Sequence, residues 1–103
     1  QAKVEVAATA APVKRDYQQD RERKKRENKL KSDIEKVEAE IMAMEEKRGS
    51  LIDQMADPAM ATQFDKLVAL QKEVDDLDKK LATVSSNWEK LVEEMDQLQA
   101  ESL

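Results

Sequence analysis

Apolar residues recur at every third or fourth position from Leu67 onward: Leu70, Val74, Leu77, Leu81, Val84, Trp88, Leu91, Met95 and Leu98. The positions between them are mostly Asp, Glu, Lys, Gln, Ser and Asn. A narrow apolar seam with polar flanks, sustained over this length, predicts one continuous coiled-coil helix. A second stripe runs through Leu30, Ile34, Val37, Ile41, Met44, Leu51 and Met55, and its heptad places Arg48 in the seam. Neither stripe is stable facing water, so each helix needs the other, or a partner, to cover it.

Between the stripes lies Met55-Ala56-Asp57-Pro58-Ala59. Pro58 cannot continue a helix and pushes Asp57 out of the α region. A restart follows, with Asp57 as N-cap and Pro58 at the first helical position, or with Thr62 as N-cap and Asp65 three residues on. Met60 and Phe64 are then available to close the end. The chain is therefore expected to be all-α, a two-helix antiparallel coiled-coil hairpin over residues 16–103. Its helices cover about 16–55 and 62–100, with a break at about 56–61. Residues 1–15, rich in Ala and Val without periodicity, read as a flexible N-terminal linker.

Two registers satisfy antiparallel packing. One sets Leu51 against Leu67 and leaves Leu91 and Met95 opposite Glu27 and Arg23. The other pairs Leu51 with Val74, Met44 with Leu81, Val37 with Trp88 and Leu30 with Met95, and it is preferred because apolar meets apolar throughout. The rod is then about 40–50 Å long at 1.5 Å per residue, and its stability is modest. Arg48 beside Gly49 reads first as a snorkelling side chain next to a tolerated glycine, and otherwise as a hinge or register pin. Trp88 and the methionines read as seam knobs and gap-fillers. Ser85-Ser86-Asn87 makes a soft patch on the polar side of the second helix.

Composition narrows the possible chemistry. The 103 residues are 40% charged, with one Gly, two Pro, and single Trp, Tyr and Phe residues, a profile of long helices and not of a wide core. Cys and His are both absent, which removes thiol chemistry, disulfides, soft metal sites and imidazole acid–base work. One glycine cannot build a phosphate-cradling loop. Paired carboxylates such as Glu45-Glu46, Asp75-Asp76 and Glu93-Glu94 are helical neighbours on solvated faces, with no pocket to tune them. No Asp-rich loop with a central glycine suggests calcium. Catalysis, cofactors and metals are therefore not expected within this chain. No apolar run reaches the roughly 20 residues of a membrane span. The start at Gln1 suggests a piece of something longer.

Charge is unevenly placed. Residues 14–31 hold nine basic side chains (Lys14, Arg15, Arg21, Arg23, Lys24, Lys25, Arg26, Lys29 and Lys31) against four acidic ones, while residues 32–103 hold eight basic and eighteen acidic. A cationic stretch without interleaved apolar residues suits a phosphate backbone, bound through counterion release and without sequence readout. The other reading is a solvated helix start pairing with Glu93, Glu94 and Asp96. A membrane surface fits less well, because the stretch has no apolar face to insert.

The run Ile34-Glu35-Lys36-Val37-Glu38-Ala39-Glu40-Ile41, the Ala56-Asp57-Pro58 break and Asn87-Trp88-Glu89-Lys90-Leu91 together resemble the C-terminal coiled-coil domain of the ABC-F subfamily of ATP-binding cassette proteins. The resemblance covers about residues 20–98; where that family often has an aromatic shortly after Asp-Pro, this chain has Met60. It implies a cytoplasmic parent ATPase with two upstream cassettes, using ATP and magnesium and acting on ribosomes in translation. It implies a catalytically inert domain here that binds rRNA or DNA through the basic segment. The alternative is a structural or dimerisation module, and the chain itself is expected to be a monomer or weak homodimer.

Overall fold

The structure is a computed structural model that describes the backbone of residues 2–101 and the side chains of residues 17–101. Helix α1 spans Ala2–Ala56 and helix α2 spans Phe64–Glu101, joined through a 3₁₀ turn at Pro58–Thr62. The two helices pack against each other as an antiparallel hairpin measuring 91 × 16 × 14 Å.

The turn follows from two residues. Asp57 is extended (φ −61°, ψ 126°) as Pro58 requires. Its Oδ1 accepts a 3.0 Å hydrogen bond from the Ala59 amide. The Met60 amide then donates to the Asp57 carbonyl, and the Gln63 amide to that of Met60, both at 2.9 Å. Of the two N-cap candidates, Asp57 is the one used, and it caps the short turn while α2 itself starts at Phe64. Met60 is half-buried and closes the end of the hairpin. Phe64 does not: it is 74% exposed, contrary to the expectation that it would help close the end. The 3–4 spacing of α2, carried back from Leu67, sets Gln63 on the seam and Phe64 beside it, off the seam.

Leu51, Val74 and Leu77 are buried together, with Met44, Met55 and Leu70 packed on them. Arg48 Nε donates to Asp78 Oδ1 at 2.6 Å across the helices. Both contacts belong to the register that pairs Leu51 with Val74. In the other register Asp78 would sit level with residue 40, about 12 Å along the rod from Arg48 at 1.5 Å per residue. The seam is not equally shielded. Buried residues cluster near the closed end, with Leu98 near the open one, while Ile34, Val37, Ile41, Leu81, Val84, Trp88 and Leu91 are half-buried. A two-helix rod has one covering surface per seam, so its middle stays partly wet.

The rod is longer than the sequence suggested. Helix α2 has 38 residues, about 57 Å at 1.5 Å per residue, and α1 continues past it. The backbone of α1 is helical back to Ala2. The side chains of residues 1–16, which include the expected linker at 1–15, lie outside the described residues, and so does the C-terminal pair 102–103.

Helix α1 passes through Gly49 without a positive φ, so no hinge forms. Arg48 is half-exposed and snorkels to its carboxylate, an exposed pair of the kind that contributes at most about 1 kcal/mol. A Cβ built on Gly49 meets nothing within 4 Å. Gly49→Ala should therefore stabilise the hairpin by about 1 kcal/mol through helix propensity. Thermal unfolding should show Tm higher by about 4–8 °C, the shift such a gain gives a domain of this size.

Helix α2 runs unbroken through Ser85-Ser86-Asn87, and Ser85 is half-buried beside the seam, not on the polar side. Trp88 is a half-buried seam residue whose indole Nε1 is shielded from solvent and has no hydrogen-bond partner among the described residues. An orphaned buried donor costs about 1–3 kcal/mol. Trp88→Phe should thus remain within about 1 kcal/mol of wild type, since relief of that cost offsets lost contact area. Trp88→Ala should cost about 3–5 kcal/mol. Urea denaturation of the two variants separates a packing role from a polar one.

Candidate functional site

The candidate site is the cationic part of α1 at the open end of the hairpin. Extending the Leu51–Val74 pairing residue by residue sets Glu101 level with Lys24. Among the described residues, those of α1 before Lys24 therefore have no counterpart on α2, and the helix there is about 10–12 Å across with its side chains. Leu98, 6% exposed, is the last buried residue of the seam. Beyond it Glu27 and Arg23 fall on the seam positions of α1 and are half-buried.

The side chains of Lys14 and Arg15 lie outside the described residues. Arg21, Lys24, Lys25, Arg26, Lys29 and Lys31 are all exposed, and only Arg23 is half-buried. At about 100° per residue, Arg21, Lys25 and Lys29 spread over the back of α1, with Arg26 on one flank of the seam and Lys24 and Lys31 on the other. The basic residues thus form a collar around the helix and not a single face.

Carboxylates do not neutralise the collar by contact. Arg23 pairs with Asp20 one turn back at 3.1 Å. Among the described residues, no hydrogen bond or ion pair engages Arg21, Lys24, Lys25, Arg26, Lys29 or Lys31. The expected alternative, pairing with Glu93, Glu94 and Asp96 of the second helix, does not form. Arg26 lines an open groove with Leu30, Glu94, Gln97, Leu98 and Glu101.

Among the described residues, no group of three or more His, Cys, Asp or Glu is placed to hold a metal ion. Nor is any helix among them long and apolar enough to cross a membrane. The long groove lined by Asp33, Lys36, Glu40, Asn87, Lys90 and Glu94 alternates in charge and is open to solvent. It offers no desolvated pocket for acid–base chemistry.

Comparison with known proteins yields one family. The family model for the ABC transporter C-terminal domain matches residues 25–93. No curated protein and no solved structure matches the chain. The matched span includes Lys25, Arg26, Lys29 and Lys31 of the collar, both halves of the hairpin and the Asp57-Pro58 turn. It covers well over half of the sequence, and the chain, a small helical hairpin without an ATPase cassette, belongs to the ABC transporter C-terminal domain family.

Proposed function

We propose that this hairpin is the non-catalytic nucleic-acid-binding domain of an ABC-F-type ATPase that acts in translation on cytoplasmic ribosomes. The collar would contact the phosphates of rRNA or DNA, and ATP and magnesium would be handled by cassettes elsewhere in the parent protein. The observation that carries this reading is the set of exposed cations on α1 that no carboxylate engages. Lysines act there as point charges and arginines as forks for phosphate oxygens. Cations on all sides of a helix suit a backbone followed in space and give no means of aligning one helix face with base edges. Binding should accordingly show little sequence preference.

The test is a titration of labelled RNA and duplex DNA at two salt concentrations. It is run beside a variant in which Arg21, Arg23, Lys24, Lys25 and Arg26 are all changed to Gln. Equal binding by wild type and variant would remove the proposal and leave a structural or dimerising role. That role would show instead as helicity that rises with protein concentration.

A further inference from the structure

We propose that the closed end of the hairpin, at the opposite end of the rod from the cations, is a protein-docking surface. The partner it fits is an amphipathic helix whose apolar stripe is flanked by Lys and Arg. Phe64, Val68 and Ile52 are 74%, 52% and 40% exposed. Phe64 and Val68 are one turn apart on one face of α2. With Leu67 and Leu51 facing the partner helix, heptad spacing sets Ile52 and Ala56 of α1 on that same side of the hairpin. An open groove lined by Thr62, Gln63, Asp65 and Lys66 lies against Phe64. The only phenylalanine of the chain thus stands in water beside a seam that Met60 already closes. Tyr17 and Met42 are about as exposed but stand singly, whereas Phe64, Val68 and Ile52 share one side of the closed end, and an apolar cluster left in water points to a functional site.

The surface is also preorganised. Consecutive amide-to-carbonyl bonds hold the turn (Asp57 to Gln54, Met60 to Asp57, Gln63 to Met60), with the Asp57 side chain capping it. A rigid turn loses little conformational freedom on binding.

Charge selects the occupant. Between Leu51 and Leu67 stand Asp53, Asp57 and Asp65 against a single Lys66. An acidic rim repels an anionic lipid surface, a phosphate backbone and the same end of a second copy. It attracts a peptide that carries cations beside its apolar stripe. This surface is independent of the cationic collar, so either one can fail without the other.

The test uses two synthetic 18-residue helical peptides with the same leucine stripe, one flanked by Lys and one by Glu. The chain is followed by methyl NMR, with Ile52 and Val68 reporting on the closed end and Ile34 and Ile41 on the stem. The Lys peptide should shift Ile52 and Val68 saturably while leaving Ile34 and Ile41 in place, and the Glu peptide should bind at least tenfold more weakly. A Phe64→Ser/Val68→Ser variant should lose at least tenfold in affinity for the Lys peptide. Its stem signals should stay unchanged, since both residues are exposed. Equal binding of the two peptides, shifts spread along the stem, or unchanged affinity in the variant would overturn the proposal. So would binding to 3:1 phosphatidylcholine/phosphatidylserine vesicles, or a dimer in sedimentation that the variant abolishes.

Discussion

Raising salt from 50 to 200 mM should weaken binding of this chain to duplex DNA about 500-fold. Of the six exposed cations that no carboxylate engages, the five nearest the open end, Arg21, Lys24, Lys25, Arg26 and Lys29, are placed to neutralise phosphates. Each phosphate neutralised on a duplex contributes about −0.9 to the slope of log K against log salt, and about −0.7 on a single strand. Five contacts give a slope near −4.5, which a fourfold change in salt converts to about 500-fold for duplex and about 130-fold for single strands. Changing Arg21, Arg23, Lys24, Lys25 and Arg26 to Gln removes four of those five contacts and should flatten the slope to about −1. Its helicity should hold, because the exposed members support no packing and Arg23 contributes an exposed-type pair with Asp20. A slope unchanged in the variant, at equal affinity, would assign the binding to other residues.

Leu77→Ala should cost about 2–5 kcal/mol, the range for truncating a buried leucine. Leu77 is 8% exposed and shares its cluster with Leu51 and Val74, the best-shielded part of the seam. A paired stem of some 80 residues has total stability of only about 4–12 kcal/mol. One such truncation therefore removes a large share, and the variant should lack a cooperative thermal transition near 37 °C. Val68→Ala, at a 52% exposed position on the same helix, should change stability by under about 0.5 kcal/mol. If the two substitutions cost the same, the seam is not what holds the hairpin together. Amide exchange should show the same gradient, with slowest exchange around Leu51 and Val74.

The hairpin was legible because its signals are local and repetitive. A 3–4 apolar spacing leaves a helix few faces to bury, Pro58 can sit only at a helix start, and Asp57 before it is a cap. The cationic stretch was equally plain, since charge is a property of composition. Its freedom from ion pairs was not, because Glu93, Glu94 and Asp96 lie level with it and could as well have closed on it. Phe64 was misread because it was judged by its nearness to the break: four residues back from Leu67 the seam position is Gln63, half-buried, and Phe64 falls one position off it.

The sequence by itself thus determined the element types, the break at Asp57-Pro58, the apolar seams and the separation of positive from negative charge. The tertiary structure decided which turn of α1 meets which turn of α2, which seam residues stay half-wet, and which cations no carboxylate engages. It also decided that an aromatic ring stands in water at the closed end. Backbone propensity and periodicity act within a few residues along the chain, whereas register and exposure depend on how two distant surfaces fit.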